Sequence, residues 1–207
     1  MTLRSLACAA LLVALVRIAR AQADPLTART KGRADAPLTL FEMSDFQCPF
    51  CRGFALETMP ALDSEYVRTG KVRFVYVNFP LTHTHHNAQA AAELAVCAAR
   101  QGKFWPVHDL LFRHQAQWAG LASPVSYFLA LGDSAGLNRA PLARCLTGRA
   151  ARAEVDADAV SSANAGASAT PTFYVEKLLV SGAAPLPVFR HLLDSLYQAK
   201  TGRGGAR

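Results

Sequence analysis

The sequence predicts an α/β fold in which a βαβ unit and a ββα unit are separated by an all-helical insertion. Three observations carry this expectation. Two short runs with apolar side chains on both faces, "LTLFEM" (38–43) and "KVRFVYVN" (71–78), bracket one helical stretch. Residues 84–165 hold helical patterning almost throughout, and "TPTFYVEKLLVSG" followed by a one-sided apolar helix closes the chain.

The elements follow in order. Arg4, the apolar run from Leu6 to Val16, and "ARAQA" ending at Ala23 read as an export signal over 1–23 with a small-residue cleavage site. That run is too short to span a bilayer. Residues 24–36 are polar, lack periodicity and read as a linker. Cleavage after Ala23 would remove Arg4, Arg17 and Arg20 and no acid, lowering the formal charge from +7 to +4. Lys200, Arg203 and Arg207 carry the remaining excess apart from one charge, so the basic balance sits at the two ends and gives no footprint for nucleic acid.

Leu38, Leu40 and Glu42 alternate with Thr39, Phe41 and Met43, which places an acid on a face otherwise buried. A helix is expected from Pro49, a residue suited to a first turn, with Phe50, Phe54, Leu62 and Tyr66 near helical spacing. Pro60 should kink or divide it, and Gly70 should end it. The strand 71–78 then completes a βαβ unit.

In the insertion, 84–165, Asn87 reads as the cap of a helix ending at Gly102. Phe104, His108, Leu111 and Gln115 share one helical face. Ser123 reads as an N-cap, with Pro124 at the first helical position and Gly132 beyond the end. Helices over 138–147 and 152–165 complete the block, each closed by a glycine. Two short strands with a turn at Glu176-Lys177 follow, then a helix whose Phe189, Leu192, Leu193, Leu196 and Tyr197 form a core-facing stripe. The α/β part thus comprises 37–83 and 166–200, and 201–207 reads as a flexible tail.

Cys48 and Cys51 stand three apart where strand passes into helix. A zinc site needs four ligands, but Cys97 and Cys145 are solitary and His83, His85 and His86 lie in a connecting loop, so no metal is expected. Those histidines read more simply as solvated loop residues or helix-start contacts. A purely structural bridge between Cys48 and Cys51 would close a tiny loop and gain little chain entropy. Redox chemistry fits better, because a cysteine at a helix N-terminus sits beside unsatisfied N–H groups that stabilise its thiolate. Cys48 is then the nucleophile and Cys51 the shielded partner. Glu42 is a candidate proton donor and acceptor for Cys51, its pKa raised by burial; a strand-end carboxylate reaching solvent is the alternative.

Between Leu38 and Tyr197, "FEMSDFQCPFC", "TGKVRF", "QGKFWPVHDLLF" and "ATPTFYV" make the chain resemble the DsbA-like exported thiol:disulfide oxidoreductases of the thioredoxin superfamily. The resemblance implies a thioredoxin-like fold with a helical insertion. It also implies a cis peptide before Pro171, with Thr170 and Pro171 facing the cysteines and, together with Pro49 and Phe50, meeting an extended peptide substrate. Against the family pattern, Ala169 replaces a glycine and Glu176-Lys177 replaces Asn-Gly, so a longer or looser hairpin is expected. Phe50 stands where the strongest oxidases carry histidine, and so the pair should be less oxidising than about −120 mV. A structural disulfide between Cys97 and Cys145 is expected, with two buried thiols as the alternative.

By this likeness the chain is a dithiol oxidase of exported proteins with free thiols. It would be periplasmic or otherwise exported and recharged by a membrane quinone-linked, DsbB-like partner, without an organic cofactor. A reductase or isomerase on the same fold, or a non-catalytic metal-binding chaperone, are the rival readings.

Overall fold

The computed structural model of the chain describes residues 25–202; the expected signal segment 1–23 and tail residues 203–207 lie outside the described residues. Among these, β1 (Thr30–Lys31), β2 (Leu38–Ser44), β3 (Val72–Asn78), β4 (Thr172–Val175) and β5 (Leu178–Ser181) form one sheet in the order β1-β3-β2-β4-β5. β2 and β3 run parallel with Leu38 opposite Val72 and Glu42 opposite Tyr76, while the β2–β4 and β4–β5 pairs are antiparallel. This is the α/β, thioredoxin-like arrangement, with the helices between β3 and β4 inserted into it.

The helical run between β2 and β3 comprises α1 (Pro49–Gly53), a wide turn at Phe54–Thr58, α2 (Met59–Leu62) and a second wide turn at Asp63–Val67. Pro60 has no N–H to donate, and the run absorbs it by widening on both sides while remaining helical to Val67. Gly70, at φ +79°, lets the chain turn back into β3. On one face of the sheet, Leu40, Phe74, Phe173 and Val175 pack against Phe54, Leu62 and Tyr66 and against Phe189 and Leu193 of the last helix, α9 (Leu186–Thr201). Phe54 meets Phe173 at a centroid distance of 4.5 Å and Phe189 at 5.5 Å.

A second core lies within the insertion: α3 (Ala88–Ala99), α4 (Phe104–Arg113), α5 (Gln115–Trp118), α6 (Val125–Ser134), α7 (Arg139–Thr147) and α8 (Arg152–Asn164). Leu94, Leu111, Trp118, Phe128, Leu142 and Val155 are buried together there, and this core continues to Phe46, Tyr76 and the two site cysteines. Cys97 of α3 and Cys145 of α7 are disulfide-bonded, with Cα atoms 6.0 Å apart at a sequence separation of 48. Closing a loop of that length is worth about 4 kcal/mol in the chain-entropy model.

Four local expectations need correction. Residues 27–31, inside the supposed linker, form a single 3-10 turn and the edge strand β1, which pairs antiparallel with β3. Charge burial explains why: Arg29 is fully buried, paired with Asp158 and with Glu154 at 3.2 Å. The side chain of Asn87 does not cap α3 but donates to the carbonyls of Trp118, Ala119 and Leu121, which converge on it. α6 begins at Val125 with Pro124 as its cap, and Gly132 lies within the helix, where a β-carbon would collide with Leu142 of α7. The hairpin is tight: Val175 pairs with Leu178, and Glu176 and Lys177 occupy φ +46° and +71°. Two non-glycine residues there cost roughly 1 kcal/mol each, a price set against the β4–β5 ladder and the Lys200–Glu176 ion pair at 2.6 Å.

Asp158 also accepts the main-chain and side-chain N–H of Asn78, so Arg29 neutralises a carboxylate that joins α8 to the end of β3. Removing one member of a buried pair leaves the other uncompensated. Arg29→Ala is therefore expected to lower urea-measured stability by about 3 kcal/mol. A loss below 1 kcal/mol would mean that residues 27–31 merely lie against the domain.

Candidate functional site

β2 ends at Ser44, and the four residues that follow lead into α1 with Cys48 as its extended N-cap (φ −70°, ψ 125°) and Pro49 in its first turn. An N-cap precedes amide groups that have no helical acceptor, so the Cys48 sulfur faces donors from the main chain of Phe50 and Cys51. Cys48 is 4% exposed and Cys51 fully buried, whereas the intervening Phe50 is 67% exposed. Both cysteines are free thiols in this structure. Opposite them lies the loop before β4, where the Thr170–Pro171 peptide is cis and Cys48 Sγ donates to Thr170 O at 3.3 Å.

This setting separates two chemically identical groups. The Cys51 thiol, followed by the hydroxyl of Thr170 and the amides of Cys51 and Phe50, draws the Cys48 pKa down to about 6 against the opposing effect of burial. The Thr170 carbonyl favours the protonated thiol, but the Thr170 hydroxyl is buried with no acceptor of its own and is free to turn toward the thiolate. For Cys51 burial dominates and pushes the thiol up, reinforced by the negative charge of Cys48 and of Glu42. One sulfur is thus ionised at neutral pH and the other protonated.

Glu42 lies on the sheet face beneath the cysteines, 1% exposed. Burial pushes its carboxyl up to about 8; the Ser44 hydroxyl opposes this weakly and the Cys48 charge adds to it. Glu42 Oε1, Ser44 Oγ and the hydroxyl of Tyr76 are all buried without a hydrogen-bond partner. Tyr76 is held above its usual range, first by burial and then by the charges of Glu42 and Cys51. The three groups form a polar pocket in otherwise apolar surroundings, suited to holding or passing a proton.

Residues that the sequence reading left aside fix the loop that carries Cys48. The carboxylate of Asp45 accepts Gln47 N at 2.7 Å, Leu81 N at 2.9 Å and His85 Nδ1 at 2.8 Å, and the Asp45 amide donates to Cys51 Sγ at 3.5 Å. Gln47 accepts Asn87 N at 2.7 Å and donates to Ala119 O. Gln115 Nε2 donates to the carbonyls of Phe46 and Cys48 at 2.8 and 3.0 Å. Gln115 was visible in sequence as a polar residue on the same helical face as Phe104, His108 and Leu111, all of them buried. His85 is no solvated loop residue, while His83 and His86 make no contribution to the loop's anchoring. Among the described residues no group of three or more His, Cys, Asp or Glu side chains could hold a metal ion.

The model of the thioredoxin family (Thioredoxin) matches residues 25–195. Disulfide bond formation protein D of Bacillus subtilis is 25% identical over 179 residues, covering 82% of this chain and 77% of that protein. A Na(+)/H(+) antiporter NhaA 3 of Salinispora tropica is 40% identical over 153 residues, 73% of this chain, and the chain spans only 22% of that relative's length. Among solved structures, oxidised BdbD of Bacillus subtilis superposes with a TM-score of 0.76 at 21% identity, over 84% of this chain and 95% of that one. Wolbachia pipientis alpha-DsbA1 gives a TM-score of 0.75 at 21% identity, over 84% and 93%. These structures share the fold.

Two pH dependences of opposite sign follow from the site. Reduced folded protein has Cys48 ionised from about pH 6, whereas the unfolded thiol titrates near 9, so Cys48 contributes stability that grows across that window. Folded Glu42 keeps its proton up to about pH 8 and the unfolded carboxyl loses it near 4.5, so Glu42 contributes stability that is lost as pH rises between them. Thiolate absorbance of the reduced protein should show one transition near pH 6. In the oxidised protein, where Cys48 does not titrate, Glu42→Gln should flatten the fall in urea midpoint between pH 5 and 8. An unchanged pH profile in that variant would show that the folded carboxyl ionises normally.

Proposed function

From the premise that the chain belongs to the thioredoxin family, we propose that it is a thiol:disulfide oxidoreductase, working as a dithiol oxidase on exported proteins with free thiols. The observation that carries this reading is the partition at Cys48 and Cys51: an N-cap sulfur pulled down to about 6 beside a buried sulfur pushed up. A low-pKa thiol is a good leaving group, which favours passing a disulfide on to a substrate. Its likeness to disulfide bond formation protein D supports the direction.

In the oxidised state a substrate thiolate attacks Cys48 Sγ. The S–S electron pair leaves on Cys51, which takes a proton from Glu42, giving a mixed disulfide between substrate and Cys48; Glu42 then regains a proton from water, as a carboxyl with a raised pKa does at neutral pH. A second substrate thiolate then attacks the substrate sulfur of that bond and releases Cys48 as a thiolate, stabilised by the α1 amides and the Thr170 hydroxyl. The substrate gains a disulfide and the protein holds two electrons more, with the Cys51 proton stored in the buried site. The cis Thr170–Pro171 segment, Pro49 and the exposed Phe50 ring border the sulfur and would receive the substrate chain as an added strand. Recharging would fall to a membrane quinone-linked partner of the DsbB kind, and the protein would act outside the cytoplasm. Cys97–Cys145 joins α3 to α7 and serves the fold.

Cys48→Ser should abolish both reduction of a disulfide substrate and oxidation of a reduced one while leaving the circular dichroism spectrum unchanged; retained turnover would refute the assignment. Cys51→Ala should accumulate mixed disulfides on non-reducing gels, and their absence would reverse the roles given to the two cysteines.

Equilibration with glutathione buffers decides direction. A potential above about −180 mV is expected for the oxidase, and one near about −270 mV, the thioredoxin value, would make the protein a reductase.

A further inference from the structure

The main chain of Asp45 touches both cysteines. Its carbonyl accepts Cys48 N at 3.1 Å, and its amide donates to Cys51 Sγ at 3.5 Å. The geometry of this one residue therefore fixes both the entry into α1 and a donor to the buried sulfur. Its orientation is set by its carboxylate, whose side chain is fully buried. Gln47 N donates to Oδ1, and Leu81 N and His85 Nδ1 meet at Oδ2. Both oxygens already accept main-chain N–H groups, so the ring nitrogen facing them is a donor, and Nδ1 carries the proton.

Of these contacts, Gln47 lies in the same short loop and moves with it. Leu81 and His85 belong to the connection between β3 and α3 and tie the loop to a separate part of the fold. His85 is itself anchored: its N–H donates to Leu81 O at 2.8 Å and its carbonyl accepts Ala88 N at 3.1 Å, which sets the ring at the threshold of α3. The ring retains 16% exposure while the carboxylate has none, so the imidazole closes Asp45 off from water.

We propose that His85 is a positioning residue for the redox pair, whose Nδ1–H holds the Asp45 carboxylate and thereby keeps the Asp45 amide aimed at Cys51. The inference rests on Cys48 and Cys51 being a redox couple. Without the ring contact Leu81 N alone ties the carboxylate to the β3–α3 connection, water reaches Oδ2, and the Asp45 main chain is held less closely on the sulfur. In the dithiol state the Cys51 S–H supports the Cys48 thiolate, and an N–H on the Cys51 sulfur strengthens that bond; the disulfide has no such bond to lose. The couple then becomes harder to reduce.

Asparagine and glutamine separate this role from a general structural one. An asparagine amide nitrogen falls near the position of Nδ1, and that of glutamine near Nε2. The equilibrium constant with glutathione is measured for the wild type, His85→Asn and His85→Gln, with the urea midpoint of each. His85→Gln should shift the constant about tenfold toward the disulfide, about 30 mV more negative, and His85→Asn should stay within twofold of the wild type. A purely structural histidine would lower the urea midpoint and leave the constant alone. A His85→Gln constant within twofold of the wild type, or equal shifts in both variants, overturns the proposal. A wild type that forms no disulfide with glutathione at any ratio overturns the redox reading beneath it, which is a separate result.

Discussion

The site depends on bringing the first turn of α1 against the carbonyl of Thr170, two segments 122 positions apart in sequence. Pairing of β2 with β4 does this. Glu42 lies opposite Phe173 and Met43 opposite Thr172, so the strand that leads into the cysteines ends beside the start of the strand that follows Pro171. Side-chain alternation has period two, and a slip of one residue would turn Glu42 to the other face and Met43 toward the cysteines. The packing of Leu38, Leu40, Phe173 and Val175 against Phe54 and Phe189 forbids that slip. Register in the apolar core therefore fixes geometry at the sulfur.

Against that frame of apolar burial stand a few polar groups that lack partners. Glu42 Oε1, Ser44 Oγ and Tyr76 OH are buried without a partner, at about 2 kcal/mol apiece, and the Thr170 hydroxyl has none but the Cys48 sulfur to turn to. A fully buried leucine or phenylalanine returns a similar amount, and the two cores contain many of them. The fold can carry these deficits, and their placement around one dithiol gives them a use. A carboxyl that keeps its proton up to about pH 8 and a hydroxyl with no acceptor are both responsive to a charge appearing on sulfur.

Much of this was legible in the sequence because it follows local rules. Pro49 after Cys48 marked the helix start, apolar runs marked the central strands, and an acid in phase with Leu38 and Leu40 marked Glu42 as buried. Other features were hidden because they depend on partners far along the chain. Arg29 looks like a linker residue until Asp158, 129 positions later, is placed beside it. Asn87 resembles a cap by position, yet three carbonyls at the end of α5 and just beyond it compete for its amide more effectively than its own helix does. Gly132 follows a run that could end a helix, and only the approach of Leu142 explains a glycine within one. Glu176 and Lys177 lack turn chemistry of their own, and the flanking ladder imposes it.

The helical insertion therefore does more than enlarge the molecule. The sheet holds the redox loop from one side through β2, and the insertion holds it from the other through Gln115 on the Phe46 and Cys48 carbonyls and through Gln47 between Asn87 N and Ala119 O. Cys48 O accepts from both Gln115 and Arg52 N, so the first carbonyl of α1 is fixed from the insertion as well as from the helix itself. Hydrogen bonds are short-ranged and directional, whereas apolar contacts tolerate small displacements. Tethers of this kind locate a sulfur to fractions of an ångström at little cost in buried area. The division of labour is physical: apolar packing decides which segments meet, and a few buried amides and one histidine–aspartate pair decide how accurately they do so.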